Sequence, residues 1–151
     1  MLSQATGYGI RALVLLGRKY PRALLIREIS KEEGIPYPFL AKIIHLLAQE
    51  GLVVTQKGIG GGVRLSAEPS SISLYSIAHA LRDPILKDTC FLGRPECNGF
   101  CPVHSFWMEK REEILKYLKT NTLASLSSGF SGKSNKITRT KKEEAGERRR
   151  G

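Results

Sequence analysis

The chain has 151 residues, of which 41% are hydrophobic, and a formal net charge of +10. This length and composition are typical of one folded domain with a modest core and some additional chain. No apolar run reaches the roughly 18 residues of a membrane span, and the N-terminal segment lacks a basic leader and a small-residue cleavage site. We therefore expect a cytoplasmic protein without a membrane span or a secretory signal.

Half of the excess positive charge lies at the C-terminus. Residues 127–151 contain eight Lys or Arg and three Glu, a net charge of +5. This segment is rich in Ser and Gly and has almost no apolar side chains, so it cannot bury enough surface to offset the entropy lost on ordering. We predict a disordered tail, which is either a solvated extension or a nonspecific contact to nucleic acid.

Apolar residues recur at helical spacing in three segments of the N-terminal half. The first covers residues 3–19 and ends before Pro21, and the second covers residues 25–33 and ends at Gly34, a typical C-terminal stop. The third covers residues 37–50 and begins with prolines, whose missing N–H costs little in a first helical turn. Its predicted core face consists of Phe39, Leu40, Ile43, Ile44 and Leu47.

Two short strands, 52–56 and 63–66, flank the glycine-rich stretch 57-KGIGGG-62. A phosphate-binding loop is disfavoured here, because no Gly-Lys-Ser/Thr follows and the next element is a strand. Three helices followed by a hairpin predict a mainly α fold, the winged helix-turn-helix. In this fold 25–33 is the supporting helix, 37–50 is the recognition helix, and the hairpin is the wing.

The outward face of a recognition helix enters the major groove of DNA. Here Lys42 on that face can hydrogen-bond guanine or phosphate, and Tyr37 can contact phosphate or a base. The predicted DNA-binding residues are Tyr37, Pro38, Ala41, Lys42, His45, Lys57, Gly60 and Arg64. Taken singly, Lys42 and His45 are more often only solvated, but the wing and the basic charge balance favour DNA contact.

The C-terminal half is predicted to contain a helix near 74–82, an irregular loop over 84–101, and a long helix from 102 to about 120. The apolar stripe of the long helix consists of Val103, Phe106, Trp107, Ile114, Leu115 and Leu118. Little of the chain is left to cover this stripe, which predicts a partner helix from a second copy and hence a homodimer. The predicted organisation is a DNA-binding domain with a linking helix over 1–83, a cysteine loop over 84–101, a dimerisation helix over 102–126 and a tail over 127–151.

All three cysteines lie in 90-CFLGRPECNGFCPVH-104, with the spacing Cys-x6-Cys-x3-Cys-x2-His. In a reducing compartment, clustered cysteines bind metal or do redox chemistry more often than they form disulfides. The first gap is longer than the close pairs of structural zinc sites, although a Cys3His zinc site remains an alternative. Thiolates also suit iron–sulfur clusters, which an irregular loop can surround. A catalytic Cys–His pair is disfavoured because no acyl-transfer signature accompanies it, so we do not expect an enzyme.

These features together resemble the IscR/NsrR-type Rrf family of bacterial winged-helix repressors. The matching stretches are 7-GYGIRALVLL-16, 26-IREISKEEGIPYPFLAKIIHLLAQEGLV-53, the wing 58-GIGGGVRLS-66 and 101-CPVHSFW-107. The resemblance covers about residues 1–120 and implies a homodimer on a palindromic operator. It also implies a [2Fe–2S] or [4Fe–4S] cluster that senses cluster supply, iron, nitric oxide or redox state.

By this resemblance, Cys90, Cys97 and Cys101 match the three thiolate ligands in order, with gaps that differ from the commonest arrangement. His104 falls where the cluster-biogenesis regulators place a histidine ligand. The nitric-oxide-sensing branch instead has an acidic residue before the Tyr-Gly of the first helix, where this chain has Gly7. Ala41 stands where the cluster-biogenesis regulators carry a glutamate that helps to choose between operator types.

The hypothesis that follows is a two-state switch. With the cluster bound, loop 84–101 is ordered against the dimerisation helix, and loss or modification of the cluster releases it. The spacing of the two recognition helices then changes, and half-sites must lie about one helical turn apart. The alternative is a zinc-stabilised or thiol-redox winged-helix regulator without an iron–sulfur cluster.

Overall fold

The structure is a computed structural model that describes residues 2–129. Its helices are α1 (Gln4–Lys19), α2 (Ile26–Glu33), α3 (Tyr37–Gln49), α4 (Leu74–Ala80), α5 (Pro102–Thr120) and α6 (Leu123–Gly129), with 3-10 turns at Pro69–Ser71 and Pro84–Leu86. Strands β1 (Val53–Gln56) and β2 (Gly62–Leu65) form one antiparallel hairpin, with Val53 opposite Leu65. The predicted mainly α winged helix-turn-helix is confirmed. Within residues 2–129, none of the helices combines the length and apolar character needed to span a membrane.

Local signals account for the boundaries of the first two helices. The Ser3 hydroxyl accepts the N–H of Thr6 at 3.2 Å, which caps α1. The Glu28 carboxylate accepts the N–H of Leu25 at 2.8 Å at the start of α2, and Gly34 ends that helix with a φ of +63°. The first two helices therefore begin at polar caps, and α2 ends at a left-handed glycine, and sequence patterns identify both signals well.

The prediction that Phe39 belongs to the core face of α3 was wrong. Leu40, Ile43, Ile44 and Leu47 are buried, but the side chain of Phe39 is 59% exposed. The buried residues have the spacing i, i+3, i+4 and i+7, which forms one stripe on the helix. Phe39 precedes that stripe by one residue, about 100° around the helix axis, and so points away from the core.

A backbone bridge between Leu24 and Val63 joins the wing to the segment before α2. Leu24 donates its N–H to the Val63 carbonyl at 2.9 Å, and Val63 donates to the Leu24 carbonyl at 2.7 Å. Gly62 makes this approach possible, because its φ is +132° and an added Cβ would lie 2.5 Å from the Leu24 oxygen. The bridge, which no sequence pattern predicts, fixes the base of the wing.

The C-terminal half differs from the prediction in two respects. First, α5 ends at Thr120 as predicted, but a separate helix α6 begins at Leu123, so the predicted boundary between 126 and 127 falls inside α6. Second, part of the apolar stripe of α5 is covered by its own chain, since Leu115 and Leu118 are buried. Helix α6 packs on α1 with Leu123 fully buried. The remainder of the predicted tail, 130–151, lies outside the described residues.

Candidate metal centre and nucleic-acid interface

The three cysteines are free thiols. Cys90 and Cys97 lie in the segment that connects the Pro84–Leu86 turn to α5, and Cys101 lies at its end. Trp107 of α5 attaches the start of this segment, because its indole N–H donates to the Thr89 carbonyl at 3.0 Å and its ring lies 5.5 Å from that of Phe91. Local turns shape the rest: Gly93 donates to the Cys90 carbonyl at 2.9 Å, and the Asn98 side chain accepts the N–H of Phe100 at 3.2 Å. Short-range bonds and one aromatic contact therefore hold the loop.

Three of the four predicted ligands line one cavity of about 390 Å³. Cys90, Cys97 and His104 contribute to its wall, and the Cys97 Sγ lies 3.3 Å from the His104 Nδ1. Cys101, which is outside this wall, caps the start of α5 and accepts the N–H of His104 at 2.9 Å on its carbonyl. The other side chains of the wall include Asp88, Arg94 and Met108.

The local electrostatics favour the thiolate form of Cys90. Hydrogen bonds from the backbone N–H groups of Arg94 and Leu92 lower the pKa of Cys90, against a smaller opposing effect of burial. The Cys97 side chain and the positive charge of Arg94 lower this pKa further. Since the thiolate is both the metal ligand and the nucleophile, Cys90 is prepared for either chemistry.

The donor set fits a thiolate-ligated cluster. Across residues 2–129, no three His, Cys, Asp or Glu side chains converge closely enough to hold a single metal ion. Thiolates and imidazole are ligands both of zinc and of iron–sulfur clusters. Cys90, Cys97 and His104 in the wall of one 390 Å³ cavity therefore fit a cluster in donor type, as they would fit a zinc ion.

Most of the predicted DNA-binding side chains are accessible. On α3, Tyr37, Pro38, Lys42 and His45 are exposed and Ala41 is half-buried; on the wing, Lys57 and Gly60 are exposed and Arg64 is half-buried. Two accessible apolar residues were missed, Phe39 on α3 and Ile59, which is fully exposed at the wing tip. Two sequence signals could have identified them. Phe39 lies outside the helical spacing of the core stripe, and glycines flank Ile59 on both sides.

Comparison with known proteins identifies the family. The Rrf2 model, described as iron-dependent transcriptional regulators, matches residues 2–129. An Aquifex aeolicus protein described as an HTH-type transcriptional regulator is 33% identical over 130 residues, covering 83% of this chain and 90% of that protein. The regulator IscR of Vibrio atlanticus is 32% identical over 103 residues, covering 67% of this chain and 59% of IscR.

A solved structure shows the same fold. The global cysteine regulator CymR of B. subtilis superposes with a TM-score of 0.72 at 23% identity, over 85% of this chain and 97% of CymR. The family match over residues 2–129 and the helix-turn-helix with its wing agree, and the predicted resemblance is confirmed. The chain belongs to the Rrf2 family of winged-helix transcriptional regulators.

Proposed function

We propose that this regulator is a repressor whose operator affinity is switched by an iron–sulfur cluster held by Cys90, Cys97, Cys101 and His104. The observation that carries the proposal is the cavity at which Cys90, Cys97 and His104 meet. The iron-dependence in the description of the family supports it. The proposal gives the chain no catalytic role and places it in the cytoplasm.

The ligand residues have distinct roles in this proposal. Cys90, Cys97 and Cys101 would bind as thiolates, and the lowered pKa of Cys90 favours the form that binds. His104 would bind as a neutral imidazole through the Nδ1 that now faces Cys97. The bound cluster would supply a redox-active inorganic centre that iron supply, nitric oxide or oxidants can alter. The rings of Trp107 and Phe91 pack against each other beside the start of the loop.

DNA binding is assigned to α3 and the wing of two copies of the chain on a palindromic operator. Lys42 and Tyr37 are exposed on α3, and Lys57 is exposed on the wing. The Leu24–Val63 bridge fixes the base of that wing. For dimerisation, Phe106 and Tyr117 are 57% and 55% exposed on α5. They are about three helical turns apart and so lie on one side of the helix. A second copy of α5 packed on this side would bury both.

The cluster is tested by anaerobic purification followed by visible absorbance, iron and zinc analysis. We expect a brown protein with sulfur-to-iron absorption bands that disappear in a Cys97→Ala variant. A colourless protein with stoichiometric zinc would contradict the proposal.

DNA binding is tested by titrating promoter DNA of the chain's own gene at several salt concentrations, with and without the cluster. Binding should weaken as salt rises, because Lys and Arg contacts displace condensed counterions. The absence of salt-dependent binding in both forms would exclude the regulatory role proposed for this DNA.

The second candidate function is a thiol-redox regulator without a cluster. The two thiols of Cys90 and Cys97 in the wall of one cavity favour it. Two thiols would lose two electrons and two protons to hydrogen peroxide, which becomes two waters, and would form a disulfide. Peroxide-dependent, dithiothreitol-reversible DNA binding by a metal-free protein would support this candidate over the first.

A further inference from the structure

The 3-10 turn Pro84–Leu86 leads directly into the cysteine loop and is tied to α1 by a buried carboxylate. Asp83 is only 1% exposed. Its Oδ2 accepts the backbone N–H of Ser3 at 2.8 Å, and its Oδ1 accepts the N–H of Ile85 at 2.9 Å. The Thr6 side chain hydrogen-bonds the same carboxylate. Asp83 therefore joins the first turn of α1 to the turn that precedes the cysteines.

The same turn is tied to α5 by a buried guanidinium. Arg111 is 7% exposed, and its Nε donates to the Ile85 carbonyl at 3.0 Å while its Nη2 donates to the Leu86 carbonyl at 3.0 Å. One helical turn earlier on α5, Trp107 holds the Thr89 carbonyl. Helix α5 therefore holds the start of the cysteine loop through hydrogen bonds from two side chains, those of Arg111 and Trp107.

Both ties meet on Ile85. Asp83 accepts from its N–H, Arg111 donates to its carbonyl, and its side chain is buried in the core. We call Asp83, Ile85 and Arg111 the Ile85 clamp. Burying a carboxylate and a guanidinium is costly, and apolar side chains of similar volume often stabilise a fold as well or better. Directional bonds of this kind instead define one position of the backbone relative to its neighbours.

The clamp leads to the recognition helix through α1. Gly9 of α1 lies where an added Cβ would be 2.5 Å from Leu81 and 3.5 Å from Ile43 of α3. Helices α1 and α3 are thus in close contact two turns from the Asp83 bonds. Because a close-packed interior leaves little room for independent movement, a shift at the start of α1 would displace its neighbours on α3.

We propose that Asp83 and Arg111 are positioning residues that transmit the state of the cysteine site through Ile85 to α1 and the recognition helix. This inference rests on the proposed function, because it requires DNA affinity to depend on that state. It adds a specific route: the Pro84–Leu86 turn moves with α5 through Arg111 and with α1 through Asp83. Variants that break the clamp should uncouple the two sites while both remain functional.

The test compares operator affinity of the full chain with and without its cluster. Arg111→Lys keeps the charge but cannot hold both carbonyls in the fork geometry of arginine. Asp83→Asn keeps the shape but removes the charge and one acceptor. Lys116→Ala, an exposed position on α5, is the matched control. Cluster content is read from visible absorbance, and folding from circular dichroism.

We expect the ratio of the two affinities, which in allosteric proteins is typically about 5–150-fold, to fall toward one in both clamp variants. Lys116→Ala should keep the wild-type ratio. Should either clamp variant fail to fold, Thr6→Val removes one hydrogen bond to Asp83 without changing the side-chain shape and should lower the ratio by less. Folded, cluster-bearing clamp variants with the wild-type ratio would overturn the inference alone. A wild-type ratio of one would instead overturn the proposed function and the inference together.

Discussion

The wing and the cysteine loop are both glycine-containing irregular segments, yet the structure holds them in different ways. The wing is closed by the β1–β2 ladder and fixed at its base by the Leu24–Val63 bridge, which depends on the close approach at Gly62. The cysteine loop is almost entirely exposed between Asp88 and Phe100, and Trp107 is its main attachment. A wing that is already fixed loses little entropy when it binds a stiff partner such as duplex DNA. A loop with few attachments can instead be ordered by the ligand that binds it.

Among the changes that distinguish the cysteine loop from the wing, Cys97→Ala is expected to have the largest effect. This change removes a thiol that lines the cavity and contacts His104, so the visible absorbance of the cluster should be lost. Because Cys97 is exposed, the free energy of unfolding of the cluster-free protein should change by less than about 0.5 kcal/mol. Urea denaturation of the cluster-free protein checks the second part, and a large loss of stability there would show that the loop is structural after all.

Gly62→Val is expected to show the opposite pattern, a loss of stability without a loss of the cluster. Its side chain would collide with the Leu24 carbonyl at a φ of +132°, so the wing base should open and unfolding should become easier by about 2–4 kcal/mol. Cluster absorbance should be retained. Gly7→Ala, where an added Cβ meets nothing within 4 Å, is the control and should be neutral or slightly stabilising. Equal stability of the two variants would mean that the bridge does not fix the wing.

Asp83 gives a pH-dependent comparison. Burial raises the pKa of Asp83, but hydrogen bonds from Thr6, Ile85 and Ser3 outweigh burial, and the net pKa is lowered. A carboxylate with a lowered folded-state pKa stabilises the fold above its unfolded pKa of about 3.9 and loses this contribution as pH falls through the folded value. Asp83→Asn should therefore cost about 1–2 kcal/mol at pH 7 and progressively less below about pH 4. Urea denaturation across this range measures it, and a constant difference would refute the role of the charge.

The smallest effect is expected from removing residues 130–151. A cut at Leu126 would remove part of α6, so the chain should end at Gly129. Loss of eight Lys or Arg and three Glu should weaken DNA binding roughly tenfold or less at low salt and make it less salt-sensitive. Parallel salt titrations of full and shortened chains provide the measurement. Identical salt dependences would assign the tail to solvation alone.

Many features of this molecule follow from local signals in its sequence. The first three helices and the hairpin lie within about two residues of their predicted positions, because caps, left-handed glycines and helical periodicity act over a few residues. The cysteine spacing likewise indicates the candidate ligands, because all of them lie in the one short stretch 90–104. Helix α6 was missed because four of the seven residues of LASLSSG are Ser or Gly, which are weaker helix formers than its Leu and Ala, and its helical form accompanies the burial of Leu123 against α1.

The sequence by itself determined the order of the elements, the thiol-rich character of the loop and the basic charge, since each depends on residues close together in the chain. Only the tertiary structure decided which side of α3 Phe39 occupies, that Leu24 pairs with Val63, and that Arg111 reaches Ile85. These contacts join residues far apart in sequence, so they form only when helices and strands pack around one core. The same long-range packing connects α1, through Asp83, and α5, through Arg111, to the single buried residue Ile85.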